Sequence, residues 1–411
     1  MLSLTLLREI AIFVSGQIFY NPCLISIEIP KQHFDFSYFI RAEYNFFLRC
    51  KTSTCTSFMG KWVIIIFMRI LLLADLSSYH TYLFAETLSE QGHEVHVASA
   101  ESPLQTTNSF EIHQVKPLVE RKNFLRYLPL IPRFKKIVGE LNPDIIHAHF
   151  ISNYGLIARF IEGRKILSVW GSDLLVVPSK SVIHRRLTAW ILKEFDLIHV
   201  DAIFMKEILN RWGIPSEKIR IFPFGLKKDM RDLSLTTQKQ NLFVTHRRLD
   251  PDMDPLTIVR AFKRFHKRYP DAELIMMSEG RLKQEIESAI DKDTFIKLTG
   301  RVSRETLIKN LLNARFYLSA SLTDSTSVSL LEAMGAGCFP VVTDLPGNRE
   351  WVTPGKNGLL FDPGNADELT EKMIFAVTHP ELVNEAIRYN KNLIQKRANF
   401  EENVKKLYEE L

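Results

Sequence analysis

Two carboxylates and a run of small hydroxyl residues lie close together in the stretch SLTDSTSVSLLEAMGAG, residues 321 to 337. Asp324 comes first, then Ser325, Thr326, Ser327 and Val328. Glu332 stands after seven intervening residues, inside an apolar run. An ionised carboxylate accepts two hydroxyl hydrogen bonds at once and holds them more strongly than a neutral acceptor does. The small residues read as the first turn of a helix, where unpaired N–H groups and the positive dipole end attract an anion. Each part also has a plain structural reading: Asp324 and the Ser and Thr side chains as helix caps, Glu332 on a solvated face.

A second group, THRRLDPDMDP, carries Arg247 and Arg248 followed by alternating acids. A calcium loop is excluded, because Pro255 stands where the loop needs Gly and Ala261 where it needs a bidentate Glu. The acids read instead as residues favoured at a helix N-terminus. Nearer the amino terminus, Ser77, Ser78 and His80 occupy a strand-to-helix turn, and SVWGSDLL presents Gly171, Ser172 and Asp173. His147 and His149 share one strand face at a spacing of two, but no third ligand follows in register, so no metal site is read from the sequence. The stretch RKNFLRYLPLIPRFKKI interleaves Arg121, Lys122, Arg126, Arg133, Lys135 and Lys136 with Phe124, Leu125, Tyr127 and Phe134. Such a patch can rest on an anionic membrane surface, or simply cover a sheet with its cations snorkelling outward.

The elements that would position these groups follow from the pattern. From Met68 onward, buried strands such as RILLLADL, DIIHAHF and KILSVWG alternate with amphipathic helices, and the alternation restarts at NLFVTHRRL after the polar stretch 227 to 240. Two α/β units, each with a doubly wound Rossmann-like sheet, are expected to face a central cleft. The 411 residues suit two domains, and 46% hydrophobic with 24% charged residues describes a globular chain. The net charge of +6 is spread among interspersed acids, and no nucleic-acid module is present, so no nucleic-acid partner is expected. Cys23, Cys50 and Cys55 lie in the first 67 residues and only Cys338 beyond them, which is no disulfide framework; a cytoplasmic setting is expected. Residues 1–67 differ in character from the rest. Translation is expected to begin at Met68, with a cleaved or interfacial anchor as the rival reading.

From Met68 to Ala376 the chain resembles the retaining glycosyltransferases of family 4, the group 1 transferases. LLEAMGAG, PGNREWV and KNGLLFDPGNADEL stand in that family's order and spacing. The resemblance implies the GT-B fold, with an N-terminal Rossmann-like acceptor domain over 68–226, a linker over 227–240, and a C-terminal nucleotide-sugar domain over 241–385. A helical tail over 386–411 is expected to pack across the interface. The implied partners are a nucleotide-diphosphate sugar donor and a hydroxyl acceptor, either a sugar or a lipid-linked glycan, in cell-surface polysaccharide or glycolipid synthesis. By the same resemblance Glu332 meets the ribose, Asp324 the donor sugar, and Ser325, Thr326, Ser327 and Val328 the diphosphate. Arg248 takes the family's phosphate-binding Arg position, with Arg247 beside it. Asp324 replaces the usual Glu, Met253 the usual Lys, and Trp170 a frequent His. Ser78, His80, His149 and Asp173 fall on the acceptor side, Asp173 also as a catalytic candidate with Asp324 and Arg248. The scheme needs neither metal nor cofactor. The Asp-x-Asp metal motif of the GT-A transferases is excluded by context, since these acids precede a helix in a two-Rossmann chain. Two other readings stay open: a GT-B nucleotide-sugar epimerase or hydrolase-like enzyme, and a catalytically weak nucleotide-sugar-binding partner of an active transferase. The peripheral reading of the basic patch would place the protein on the inner face of the plasma membrane.

Overall fold

The computed structural model describes residues 24–27, 62–65, 67–116, 124–235, 240–291 and 293–409. The expected start at Met68 concerns a stretch that lies almost wholly outside the described residues. Its described parts are β1 (Leu24–Ile27) and β2 (Trp62–Ile65), an antiparallel pair.

Seven strands follow: β3 (Arg69–Leu73), β4 (Glu94–Ser99), β5 (Glu111–Gln114), β6 (Ile145–His149), β7 (Lys165–Val169), β8 (Leu197–Val200) and β9 (Ile219–Ile221). They form one sheet in the order β5-β4-β3-β6-β7-β8-β9. A second sheet holds β10 (Gln240–Thr245), β11 (Glu273–Met276), β12 (Ile296–Leu298), β13 (Ala314–Ser319), β14 (Phe339–Thr343) and β15 (Leu359–Phe361). Its order is β12-β11-β10-β13-β14-β15, and every pair is parallel. Both orders start in the middle, run to one edge, and return to continue on the other side. That is double winding. The chain divides into two compact units, one of residues 1–147, 160–164 and 404–411, the other of residues 148–159 and 165–403.

Parallel strands covered on both faces read as unbroken apolar runs rather than alternations. Ile70, Leu71, Leu72 and Leu73 of β3 are all fully buried. In the second sheet Phe243 stacks on Phe316 at 4.5 Å between ring centroids, and the edges of Phe262 and Phe265 close on it. Those two rings belong to the helix Pro255–His266, whose buried face is Ile258, Val259, Ala261, Phe262 and Phe265. Its start is fixed by Pro255 in the first turn and by Asp254, whose carboxylate accepts from the Thr257 N–H at 3.3 Å and hydroxyl at 2.6 Å. Its last turn carries Lys263, Arg264 and His266, which suit the negative end of the dipole.

Within the two parallel sheets, β5 and β15 have no counterpart in the sequence reading. Both lie at sheet edges and are too short to show a period. The polar stretch after residue 226 opens with a one-turn helix, Lys228–Arg231, because Met230 buries itself beside Leu226 in the core. Residues 236–239 of that stretch lie outside the described residues. The chain ends in two helices, Pro380–Arg397 and Phe400–Glu409.

Candidate functional site

A doubly wound sheet collects ligands where its strand order reverses, at the carboxyl ends of the two strands that part company. In the second sheet these strands are β10 and β13. His246, Arg247 and Arg248 follow β10, and the stretch carrying Asp324 follows β13.

Arg247 turns inward there. Its guanidinium donates to Asp324 Oδ2 at 2.6 Å, to Ser327 Oγ at 3.0 Å and to Ser329 Oγ at 3.1 Å. It also reaches the Met253 sulfur at 2.8 Å. Burial pushes the Asp324 carboxyl above its ordinary value, against the opposing pull of Arg247. Arg248 faces outward with its side chain 66% exposed, paired with Asp250 at 3.0 Å and Asp252 at 3.6 Å. Asp250 also accepts from the Arg281 main-chain and side-chain N–H groups. Burial opposes its ionisation, but those hydrogen bonds and the two Arg charges hold its carboxyl below the usual range.

The helix Val328–Gly335 starts at Ser327, whose hydroxyl accepts from the Leu330 N–H at 3.3 Å. Glu332 projects from its middle and is nearly buried. One oxygen lies 3.0 Å from His246 Nε2 and the other 3.5 Å from the Arg304 guanidinium. Glu332 is thus held on both sides, not solvated.

Ser325 and Thr326 are turned towards Asp201, which follows β8. The Ser325 hydroxyl and the Thr326 N–H both donate to Asp201 Oδ2, at 2.8 and 3.3 Å, and the Thr326 hydroxyl donates to the Asp201 carbonyl at 2.6 Å. The Ser325 N–H donates to the Asp324 carboxylate at 3.1 Å. Two N–H groups of the loop are therefore already satisfied, while the Ser327 and Ser329 hydroxyls face Arg247. Two glycines close the loop in. A Cβ at Gly347 would fall inside the Ser325 carbonyl oxygen, and one at Gly171 (φ +89°) would sit 2.7 Å from the Ser325 hydroxyl.

In the first sheet the order reverses between β3 and β6. Ser78 is the N-cap of the helix Tyr79–Glu90, and His80 is exposed in its first turn. His149 ends β6 and is buried with its ring edge-on to Trp170 at 5.2 Å. The chain then makes a π-helical turn, Phe150–Gly155, with Phe150 at a φ of 66°, a region costly for a residue with a side chain. Asp173 anchors this turn: its carboxylate accepts from the Ile151 N–H at 2.9 Å and the Trp170 N–H at 3.1 Å. Burial pushes its carboxyl up to about 6, against those main-chain bonds. His147 bonds the Tyr408 hydroxyl at 2.6 Å.

Arg121 and Lys122 of the basic stretch lie outside the described residues, as do the side chains of Phe124 and Leu125. Its described aromatics, Tyr127 and Phe134, are buried. Arg126 pairs with Glu101, and Arg133, Lys135 and Lys136 are exposed. No helix among the described residues is long and apolar enough to cross a membrane.

Sequence reading missed His246, Arg304 and Asp201. Only His246 carries a signal, since it stands at the carboxyl end of a strand beside the switch point.

A family model described as Glycosyl transferase 4-like matches residues 69–202, and one described as Glycosyl transferases group 1 matches residues 227–393. An uncharacterized glycosyltransferase of Methanocaldococcus jannaschii is 23% identical over 352 residues, covering 82% of this chain and 97% of that protein. The phosphatidyl-myo-inositol mannosyltransferase of Mycolicibacterium smegmatis is 23% identical over 311 residues, covering 72% of this chain and 79% of that protein. Among solved structures, Anabaena HepE in complex with UDP-glucose matches with a TM-score of 0.70 at 14% identity, covering 84% of this chain and 100% of that one.

Proposed function

Because the chain belongs to the group 1 glycosyltransferases and has their GT-B fold, we propose that it moves a sugar from a nucleotide-diphosphate donor to a hydroxyl acceptor with retention at the anomeric carbon. The observation that carries this reading is the switch-point cluster: Arg247 on Asp324, Ser327 and Ser329, with Glu332 held by His246 and Arg304.

In this reading Glu332 accepts hydrogen bonds from the ribose hydroxyls, which His246 and Arg304 orient it to receive. The diphosphate lies against Arg247, the Ser327 and Ser329 hydroxyls and the start of the helix at Val328, with Arg248 available at the rim. Asp324 reaches the donor sugar. The bond from the anomeric carbon to the diphosphate oxygen breaks, and the acceptor oxygen bonds to that carbon on the same face. The acceptor proton passes to the departing phosphate. Arg247 stabilises the charge gathering there, as a preorganised donor does. Ser325 and Thr326 position the loop through Asp201. Ser78, His80 and His149 serve the acceptor, and Asp173 acts by fixing the turn beside His149. The mannosyltransferase relative is named for a lipid acceptor, which favours a lipid-linked or cell-surface glycan. The UDP-glucose complex of the Anabaena neighbour puts uridine donors first in a screen.

The test is a thermal-shift survey of nucleoside diphosphates on the wild-type protein and on Glu332→Ala. A ligand at about 100 times its dissociation constant adds about 2.7 kcal/mol to the wild type. Glu332→Ala should lose that shift and lower kcat/KM roughly a hundredfold or more, since two hydrogen bonds to a charged group are removed. Chelators should leave the transfer rate unchanged. A fully active Glu332→Ala protein would sink the reading, and donor turnover without any acceptor would replace it with an epimerase or hydrolase.

A further inference from the structure

Far along the first sheet from its switch point, four side chains line one face of the β4–β5 edge. The strands are parallel, with His96 opposite Glu111 and Ala98 opposite His113. Alternate residues of a strand share a face, so Glu94, His96, Glu111 and His113 all point the same way. His96 Nδ1 lies 3.1 Å from His113 Nε2 and 3.3 Å from Glu111 Oε2. All three ligand atoms lie within 4.8 Å of one another.

We propose that His96 Nδ1, His113 Nε2 and Glu111 Oε2 bind one divalent transition metal of the zinc type, which fastens the edge strand β5 to β4. Three observations on geometry and chemistry carry this. The two short separations match the ligand–ligand edge of a tetrahedral zinc site, about 3.3 Å for bonds of about 2.0–2.1 Å. Two imidazole nitrogens and one carboxylate suit a borderline cation, whereas calcium and magnesium require mostly oxygen ligands. The nearby charges are already arranged for it. His96 Nε2 lies 3.1 Å from Glu94 Oε1, and Glu94 is itself held by the Arg69 guanidinium at 2.7 Å. That carboxylate gives a His96 Nε2–H an acceptor, so that with a metal bound Nδ1 can present its lone pair to the ion, the arrangement seen behind metal-bound histidines.

Without metal, His113 Nε2–H can donate to His96 Nδ1. On binding, its proton moves to Nδ1 of the same ring, so no proton is lost. Glu111 is exposed, which gives the ion a path in and leaves the fourth position to water.

The experiment uses the full chain without an affinity tag of histidines, stripped by chelation and titrated with Zn²⁺ in a calorimeter. One Zn²⁺ per chain is expected, with a rise in melting temperature. Glu111→Gln and His113→Asn, both at the exposed edge, should each weaken binding at least tenfold. Glu94→Gln, which touches no metal, should weaken it by about tenfold as well. A melting scan without metal shows that each variant is folded. The proposal is overturned if no stoichiometric Zn²⁺ binding occurs. It is equally overturned if the Glu111→Gln/His113→Asn double variant binds as the wild type does, since the ion then sits elsewhere.

Discussion

The family resemblance puts a Lys at position 253, and this chain has Met there. The guanidinium of Arg247 reaches the Met253 sulfur at 2.8 Å and is nearly buried beside Asp324, so a cation does lie next to that position, brought from another residue. Alignment marks Arg248 because it matches residue types in order. Alignment cannot see that the bend after β10 turns both His246 and Arg247 inward and leaves Arg248 facing outward. If Arg247 supplies the missing charge, Arg247→Ala should lower kcat/KM by about 10²–10³. It should also destabilise the fold by about 3–5 kcal/mol, because Asp324 is left buried without its partner. Adding Met253→Lys in that background should restore at least tenfold of the activity. Arg248→Ala alone should cost less than Arg247→Ala does. Steady-state kinetics on the four proteins decides it, and failure of Met253→Lys to recover any activity would refute the substitution of roles. For Glu332 the sequence supplied the acid but not its holders, since His246 and Arg304 come from elements distant in the chain.

Loops usually run over the surface, yet Ser325, Thr326 and Ser327 are almost completely buried. What holds the loop there is a set of elements rather than any one bond. Asp201 from the end of β8 takes two side chains and one N–H. Gly171 approaches from the loop after β7, and the turn Pro346–Arg349 presses Gly347 against the Ser325 main chain. Gly347→Ala puts a methyl group where a backbone oxygen stands, an overpacking that costs about 1–3 kcal/mol. The loop must shift, so nucleotide affinity should fall with stability. Calorimetry of nucleotide binding together with a melting curve checks this; unchanged affinity would mean that the loop does not set the donor site. The strands and helices around the loop were legible because long buried runs and amphipathic repeats carry their own period. PGNREWV was recognisable as a motif, but the reason for its glycine was not. That reason is a contact between residues 325 and 347, and contacts of this kind have no periodicity to read. The same limit hid His96 and His113, which meet only once two parallel strands are in register.

For the molecule as a whole, buried ionisable groups set a pH window of stability. Burial pushes the Asp201 carboxyl up to about 7, with the Ser325 hydroxyl opposing and the Asp324 charge adding to the rise. An unfolded Asp titrates near ~3.9. Between those values the folded chain binds a proton that the unfolded chain does not. The contribution is fully present below the unfolded value and is lost as pH rises through about 7. Buried His199 works from the other side. Burial lowers its pKa to about 4, against the Phe222 carbonyl, while an unfolded His titrates near ~6.5. Its contribution is present above the unfolded value and is lost as pH falls towards the folded one. His93, also lowered to about 4 by burial, acts in the same direction. The melting temperature should therefore peak near neutrality and decline on both sides. Asp201→Asn removes the alkaline contribution without touching the histidines. The fall in melting temperature from pH 6 to pH 8 should shrink in that variant by about 2–4 °C for each ~1 kcal/mol involved. The acid limb should steepen, because between ~3.9 and about 7 the Asp201 slope opposes that of the histidines and the variant lacks it. The slopes, not the absolute stabilities, carry the comparison, because an Asn at 201 also changes the bonds to Ser325 and Thr326. An alkaline limb as steep in Asp201→Asn as in the wild type would show that the decline comes from other groups.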